Sequence, residues 1–253
     1  MAQITYFYNL LNLVIVIGNT RIKSALYSGS ELVELKIYSS PTELLNSPQI
    51  QKCSQIIIGS VVKEADELVK NLQNLKPTII FTTQTPIPLQ NNYKSLSTLG
   101  SDRLAASIGA YYLYPNHNVL VIDAGTCIKY NFTDCDNNYL GGAISPGLQM
   151  RFKALNHFTS KLPVVELNPQ YSDLIGNNTQ NSILSGVFLG TITEIDGIIE
   201  QYNQKYSNLI CILTGGDADY LANRLKNSIF THQNLTLKGL NDILNYTIES
   251  KKK

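Results

Sequence analysis

The sequence predicts an α/β protein built from two related halves, on three observations. Short β-branched runs alternate with stretches of helical period, the pattern of sheets covered by helices. The segment Val14–Lys23, VIVIGNTRIK, has a counterpart in Val121–Lys129, VIDAGTCIK. Each is a buried strand, a Gly-Asn-Thr or Gly-Thr turn and a second strand carrying Ile-Lys, with the two Ile-Lys pairs offset by one residue. Finally, 253 residues with 43% hydrophobic and 15% charged side chains hold enough apolar material for a sizeable core and too little charge for disorder.

The elements follow in order. Residues 1–12 are expected to be a disordered lead or extension. The first apolar run, Leu10–Ile17, is broken by Asn12 and is far shorter than the roughly 20 residues that span a bilayer. Leu13–Ile17 therefore reads as a strand buried on both faces. Ile22–Tyr27 and Leu32–Tyr38 are further strands, joined by Ser28-Gly29-Ser30. A short helix starts after Pro41, and Gln55–Val61 is another buried strand. Glu64–Leu75 carries Ala65, Leu68, Val69 and Leu72 at helical spacing. Thr78–Phe81 is a strand, Thr82–Ser101 a polar connection, and Asp102–Tyr114 a helix.

The pattern then restarts, which places a boundary near Pro115, between domains 13–116 and 117–250. Strands are expected at Asn118–Asp123, Ile128–Phe132, Tyr139–Ile144, Leu209–Leu213 and Leu235–Leu237. Helices are expected at Leu148–His157, Gln180–Tyr206, Asp217–Leu225 and Asn241–Ser250. The Gln180–Tyr206 helix rests on a clear stripe of Ile183, Leu184, Val187, Phe188, Ile192, Ile195 and Ile199. Two duplicated α/β domains facing each other would leave a cleft suited to a ligand.

Bulk properties exclude several classes. The formal net charge is +1, so no global field favours nucleic acid or an anionic membrane. No basic stretch precedes the first apolar run and no small-residue cleavage site stands out, so no targeting segment is expected. Cys53, Cys127, Cys135 and Cys211 form no C-x-x-C pair, and His117, His157 and His232 lie far apart. That pattern argues against a zinc site and for reduced thiols in a cytoplasmic protein.

Five features could carry chemistry, and each also has a plain structural reading. Gly18-Asn19-Thr20 and Gly125-Thr126 are turns whose N–H groups and small side chains can cradle phosphate oxygens, with Lys23 as a nearby cation. Singly they are ordinary hairpin turns; as a repeated pair they point to phosphate. Thr214-Gly215-Gly216 follows a buried strand and opens a helix, so it either accepts a nucleotide or simply links strand to helix. In Gly100-Ser101-Asp102-Arg103, Asp102 is a general base for a substrate hydroxyl or a helix cap. Arg103 can grip a carboxylate with its two-pronged guanidinium. Asp123 ends a buried strand, where its charge needs a partner, either a cation near bound phosphate or hydrogen bonds of the turn. Tyr139–Leu148, with three glycines and a proline, implies tight backbone geometry and names no ligand.

Together these motifs resemble the type III pantothenate kinase family, within the actin/hexokinase/acetate-kinase superfamily. The resemblance runs from Leu13 to Tyr246. It rests on Gly18-Asn19-Thr20-x-x-Lys23, Tyr93, Gly100-x-Asp102-Arg103, Asp123-x-Gly125-Thr126, Leu140-Gly141-Gly142-x-Ile144-x-Pro146-Gly147, Leu162-Pro163, Gly176-x-x-Thr179, Gly186 and Thr214-Gly215-Gly216.

The resemblance implies two ribonuclease H-like domains with an ATP-binding cleft between them. It also implies transfer of the ATP γ-phosphoryl group to pantothenate, the first step of coenzyme A synthesis, by a cytoplasmic homodimer. ATP, Mg²⁺ and a monovalent cation, K⁺ or NH₄⁺, are the implied cofactors. Asp102 resembles the general base. Tyr93, Gly100, Ser101, Asp102, Arg103 and Thr179 resemble the pantothenate site. Gly18, Asn19, Thr20, Lys23, Gly125, Thr126, Thr214, Gly215 and Gly216 resemble ATP contacts, and Asp123 a monovalent-cation ligand.

Three positions depart from the family pattern. Val16 stands where an acidic residue is usual, Lys129 where a small residue is common, and Leu96 where a proline is common. Val16 keeps open a non-catalytic ATP-binding relative as an alternative. A superfamily kinase for another small alcohol or acid is the other.

Overall fold

The computed structural model describes residues 10–18, 21–59 and 65–250. Asn19 and Thr20, the end of the expected Gln55–Val61 strand and the start of the expected Glu64–Leu75 helix lie outside the described residues. The chain divides into two compact units, Met1–Leu113 with Leu235–Lys253, and Tyr114–Asn234.

The first unit begins with β1 (Leu11–Ile17), β2 (Ile22–Ser28) and β3 (Glu31–Tyr38), an antiparallel meander. Short helices α1 (Pro41–Leu45) and α2 (Pro48–Lys52) follow, each with proline at its start and a capping serine, Ser40 or Ser47. Then come β4 (Gln55–Gly59), α3 (Asp66–Leu75), β5 (Thr78–Ile80), the two-residue β6 (Gln90–Asn91) and α4 (Ser101–Leu113). The sheet order is β3-β2-β1-β4-β5, with β4 parallel to both β1 and β5.

β1 starts inside the expected lead. Asn12, 2% exposed, sits in the strand because its polar atoms are satisfied. Its amide donates to Asn241 Oδ1 and Asn245 Oδ1, each at 2.8 Å, and its carbonyl accepts from Gln55 Nε2 at 2.7 Å. A polar residue that interrupts an apolar run is tolerated in a buried strand when hydrogen-bonded in this way.

The second unit holds β7 (Asn118–Ala124), β8 (Cys127–Thr133), β9 (Asn138–Pro146), α5 (Leu148–His157) and α6 (Thr179–Leu184). A wide turn at Ser185–Leu189 leads into α7 (Gly190–Lys205), followed by β10 (Leu209–Thr214), α8 (Ala218–Ala222) and β11 (Phe230–Thr231). β7, β8 and β9 form an antiparallel meander, and β10 runs parallel to β7 and β11. Among the strands of the second unit, the order β9-β8-β7-β10-β11 repeats that of the first sheet. This is the duplicated α/β architecture that the repeat predicts.

The continuous helical stretch Thr179–Lys205 is long and apolar enough to cross a membrane, with half of its apolar window buried. Ile183, Leu184, Val187, Phe188, Ile195 and Ile199 pack in the unit's core beside Tyr130, Phe152 and Leu213. Each such fully buried side chain is worth about 1.5–3 kcal/mol, so this stripe is a core face.

The last helix, α9 (Leu235–Ser250), corrects two expectations. Leu235–Leu237 is its first turn and no strand. The apolar alternation there continues at Leu240, Ile243 and Leu244 with helical spacing, and all are buried. The helix also returns to the first unit, so the second unit ends before it and does not run to residue 250. It packs on α4, β1 and β4. Gly239 makes the α4 crossing close: a Cβ there would lie 1.8 Å from the Ala105 carbonyl oxygen.

Candidate functional site

In the first unit, five of the expected acceptor residues gather at the start of α4. The Arg103 guanidinium lies over the Tyr93 ring, 5.6 Å from its centre, and Nη1 donates to the Tyr93 hydroxyl at 3.5 Å. Arg103 is 5% exposed, so its donors are held in a fixed fork and not free in solvent. Its backbone N–H donates to Asp102 Oδ1 at 2.9 Å. Gly100 lets that carboxylate fold back, since a Cβ would stand 2.6 Å from Asp102 Oδ1. Ser101, half-buried, opens the helix. A carboxylate, a guanidinium and a phenol therefore share one helix start, where the helix dipole favours negative charge.

The first hairpin turn is partly described. Gly18 N donates to the Arg21 carbonyl at 3.1 Å, and Lys23 is exposed on β2. Val16 faces Lys23 across the strand pair.

The second unit contains a cavity of about 750 Å³, within the range of small-ligand sites. Gly125 and Thr126 from the β7–β8 turn, and Gly216 and Asp217 from the loop after β10, line one side; Lys153, His157 and Phe158 line another. Three loops converge to make it. Gly147 N donates to the Thr126 carbonyl at 3.1 Å, pinning the start of α5 to the turn. Asp217 N donates to the Ala124 carbonyl at 3.0 Å. Gly215, at φ +99°, passes so close that a Cβ would lie 2.2 Å from the Ala124 oxygen. Only glycine combines that left-handed backbone with that approach. Burial raises the Asp217 carboxyl above its ordinary pKa.

Thr214 is 2% exposed and lies opposite Asp123 in the sheet. Asp123 is paired with the Lys129 ammonium: Nζ lies 2.7 Å from Oδ2, with the side chains 21% and 15% exposed respectively. Thr179 is the exposed first residue of α6, whose cap is Asn178. Leu96 is exposed in a tight turn before α4.

Sequence reasoning missed Lys153, His157 and Phe158. The only available signal was spacing: Gln149, Lys153 and His157 stand four apart along α5 and share one face, which lines the cavity. It also missed Glu194, which ties the second meander together. Glu194 accepts from Ser145 Oγ at 2.6 Å and Tyr130 Oη at 3.1 Å, and pairs with Arg151 Nη2 at 2.5 Å. Burial opposes its charge, but the Ser145 and Arg151 hydrogen bonds, the Arg151 charge and the Tyr130 hydrogen bond prevail and lower its pKa. Among the described residues, no three His, Cys, Asp or Glu side chains gather to hold a metal ion.

Comparison with known proteins identifies the family. The sequence profile of the type III pantothenate kinases matches residues 12–201. The type III pantothenate kinase of Flavobacterium johnsoniae is 41% identical over 245 residues, covering 94% of this chain and 99% of that protein. That of Phocaeicola vulgatus is 43% identical over 242 residues, covering 93% and 98%. Among solved structures, a Campylobacter jejuni protein described as a Baf family transcriptional activator superposes with a TM-score of 0.65 at 24% identity. It covers 94% of this chain and 99% of its own. A glucokinase from an Antarctic psychrotroph gives 0.51 at 14% identity, covering 93% and 99%, a likeness of fold alone. A profile that spans both meanders, and relatives matched nearly end to end, lead to one conclusion: the chain belongs to the type III pantothenate kinase family.

Proposed function

We propose that this chain transfers the γ-phosphoryl group of ATP to the primary hydroxyl of pantothenate, the activity of its family. The observation that carries the assignment of roles is the cluster at the start of α4. Asp102 takes the proton from the acceptor hydroxyl. Arg103, held flat by Tyr93, grips the pantothenate carboxylate through paired hydrogen bonds. Gly100 and Ser101 shape the same helix start; Thr179, the exposed first residue of α6, offers a hydroxyl in the second unit.

ATP belongs to the cavity of the second unit. Gly125 and Thr126 present turn donors to phosphate, Gly216 lets the nucleotide lie against the backbone, and the exposed Phe158 offers a ring for base stacking. Thr214 and Gly215 act by setting the loop. In the first unit, Gly18, Asn19, Thr20 and Lys23 form the matching phosphate-type turn of the repeat. Phosphoryl transfer needs positioning and charge neutralisation more than covalent chemistry, and these residues supply both. The family's reaction uses a divalent metal. With no acidic cluster among the described residues, Mg²⁺ fits as an ion carried by the ATP phosphates and not held in an all-protein cage.

The reaction belongs to the cytoplasm, where ATP is supplied, and we expect a homodimer, which light scattering on purified protein tests.

The deciding experiment measures ADP release with ATP and Mg²⁺, with and without pantothenate. Release should depend on pantothenate and fall about 10²–10⁴-fold in Asp102→Asn. Release unaffected by that substitution removes Asp102 from the role. ATP binding without any release points to a non-catalytic relative, with Val16 as the first position to change.

A further inference from the structure

We propose that the Lys129 ammonium is the resident monovalent cation of Asp123, so that this chain works without potassium or ammonium ion. The inference rests on the kinase reading above and deepens it.

It begins with strand register. Asp123 ends β7 and Lys129 lies directly opposite on the antiparallel β8. Directly opposed residues project from the same face of a sheet, and here Nζ reaches Oδ2 at 2.7 Å. The pair is about four-fifths sheltered from solvent on both sides. The charge that Asp123 needs where its strand ends is therefore supplied from within the fold.

A free monovalent ion does not fit beside this pair. Potassium or ammonium bound to the same carboxylate would stand within a few ångströms of a charge of its own sign, in a setting where screening is weak. Lysine's head group is itself a substituted ammonium, a compact point charge with three donors. It carries the same charge as the ion that it excludes. Being tethered, it is present at a high effective concentration whatever the salt. Its place also suits the reaction. Asp123 stands two residues before Gly125, which lines the proposed nucleotide cavity, so the cation stays near the phosphates whose charge must be offset.

The test is ADP release by the desalted full chain in tetramethylammonium buffer, with Mg-ATP and pantothenate. Potassium or ammonium chloride is then titrated in at constant ionic strength. The wild type should change by less than about twofold. Lys129→Thr, which empties the position, should lose about tenfold or more without either ion and recover when one is added. A wild-type enzyme stimulated about tenfold by potassium overturns the proposal. So does a Lys129→Thr enzyme as active as wild type in tetramethylammonium alone.

A second measurement does not depend on the variant folding or on catalysis. The melting temperature of the wild type should be the same in potassium and tetramethylammonium chloride, and a potassium-specific rise overturns the proposal. If no salt gives pantothenate-dependent release, the kinase reading fails, while the melting comparison still decides which cation Asp123 holds.

Discussion

The two hairpins pair their strands in the same antiparallel way and differ in charge. In the first unit Val16 lies opposite Lys23; in the second Asp123 lies opposite Lys129. The one-residue offset between the Ile-Lys pairs disappears in the fold. Ile17 and Ile22 enclose four residues, Ala124 and Ile128 three, and the longer turn absorbs the difference. Sequence spacing therefore misaligned the two lysines, and register aligned them. One lysine meets a carboxylate and becomes a sheltered ion pair; the other lies opposite a valine and is exposed to solvent.

The same contrast runs through the two meanders. In the first, the buried Gln49 ties β2 to β3: Ser24 and Tyr38 hydroxyls donate to its carbonyl, the latter at 3.1 Å, and its amide donates to the Glu34 carbonyl at 3.4 Å. In the second, an ionised Glu194 plays that part through Ser145, Tyr130 and Arg151. One tie is neutral and blind to pH. The other depends on a carboxylate remaining charged.

The comparison can be broken most severely at Gly215, where the second turn is pressed by the loop after β10. Gly215→Ala should cost about 3 kcal/mol or more, from a left-handed backbone and a clash with Ala124. Urea denaturation measures it, and a loss below about 1 kcal/mol means that the loop moves aside freely.

A smaller effect separates the two lysines. Lys129→Met deprives a sheltered Asp123 of its ammonium and should cost about 1–3 kcal/mol. Lys23→Met, opposite Val16, should stay within about 0.5 kcal/mol. Equal costs in paired denaturation curves would erase the contrast.

Acid sharpens the difference between the ties. The folded pKa of Glu194 lies below its ordinary value. Its contribution is therefore complete above the unfolded carboxylate range, near pH 4.5 and upward, and is lost as pH falls through the folded value. Glu194→Gln should be less stable than wild type at neutral pH, and the gap should narrow and close as acid carries Glu194 through its lowered folded pKa. A gap that persists unchanged in acid denies that ionisation matters.

The smallest expected effect is Val16→Asp, which gives the first hairpin the carboxylate of the second. Stability should shift by no more than about 1 kcal/mol. Phosphorylation at limiting Mg²⁺ should rise severalfold, and an unchanged rate at every Mg²⁺ level means that position 16 has no part in metal use.

Much of this was legible along the chain. β-Branched runs and apolar periodicity located the strands of both meanders and the long helix of the second unit, because burial on a sheet or helix face repeats at a fixed period. The repeated turn announced the duplication, and Tyr93, Gly100, Asp102 and Arg103 were found as a group before their contacts were known. By contrast, Leu235-Thr236-Leu237 alternates like a strand for one turn, and only packing on α4 and β1 makes it helical. Lys153, His157 and Phe158 carry no mark of a ligand site, since what joins them to Gly125 and Gly216 is the pinning of α5 against a turn.

The two-unit α/β plan, the family and the grouping of Tyr93 with Gly100, Asp102 and Arg103 were readable from the chain alone, because all rest on local period and local motif. Tertiary structure was needed to set which residues oppose one another across strands, where the last helix packs, and which side chain pairs with Asp123. Those outcomes depend on hydrogen-bond register and close backbone approach between segments distant in sequence, and no local pattern encodes them.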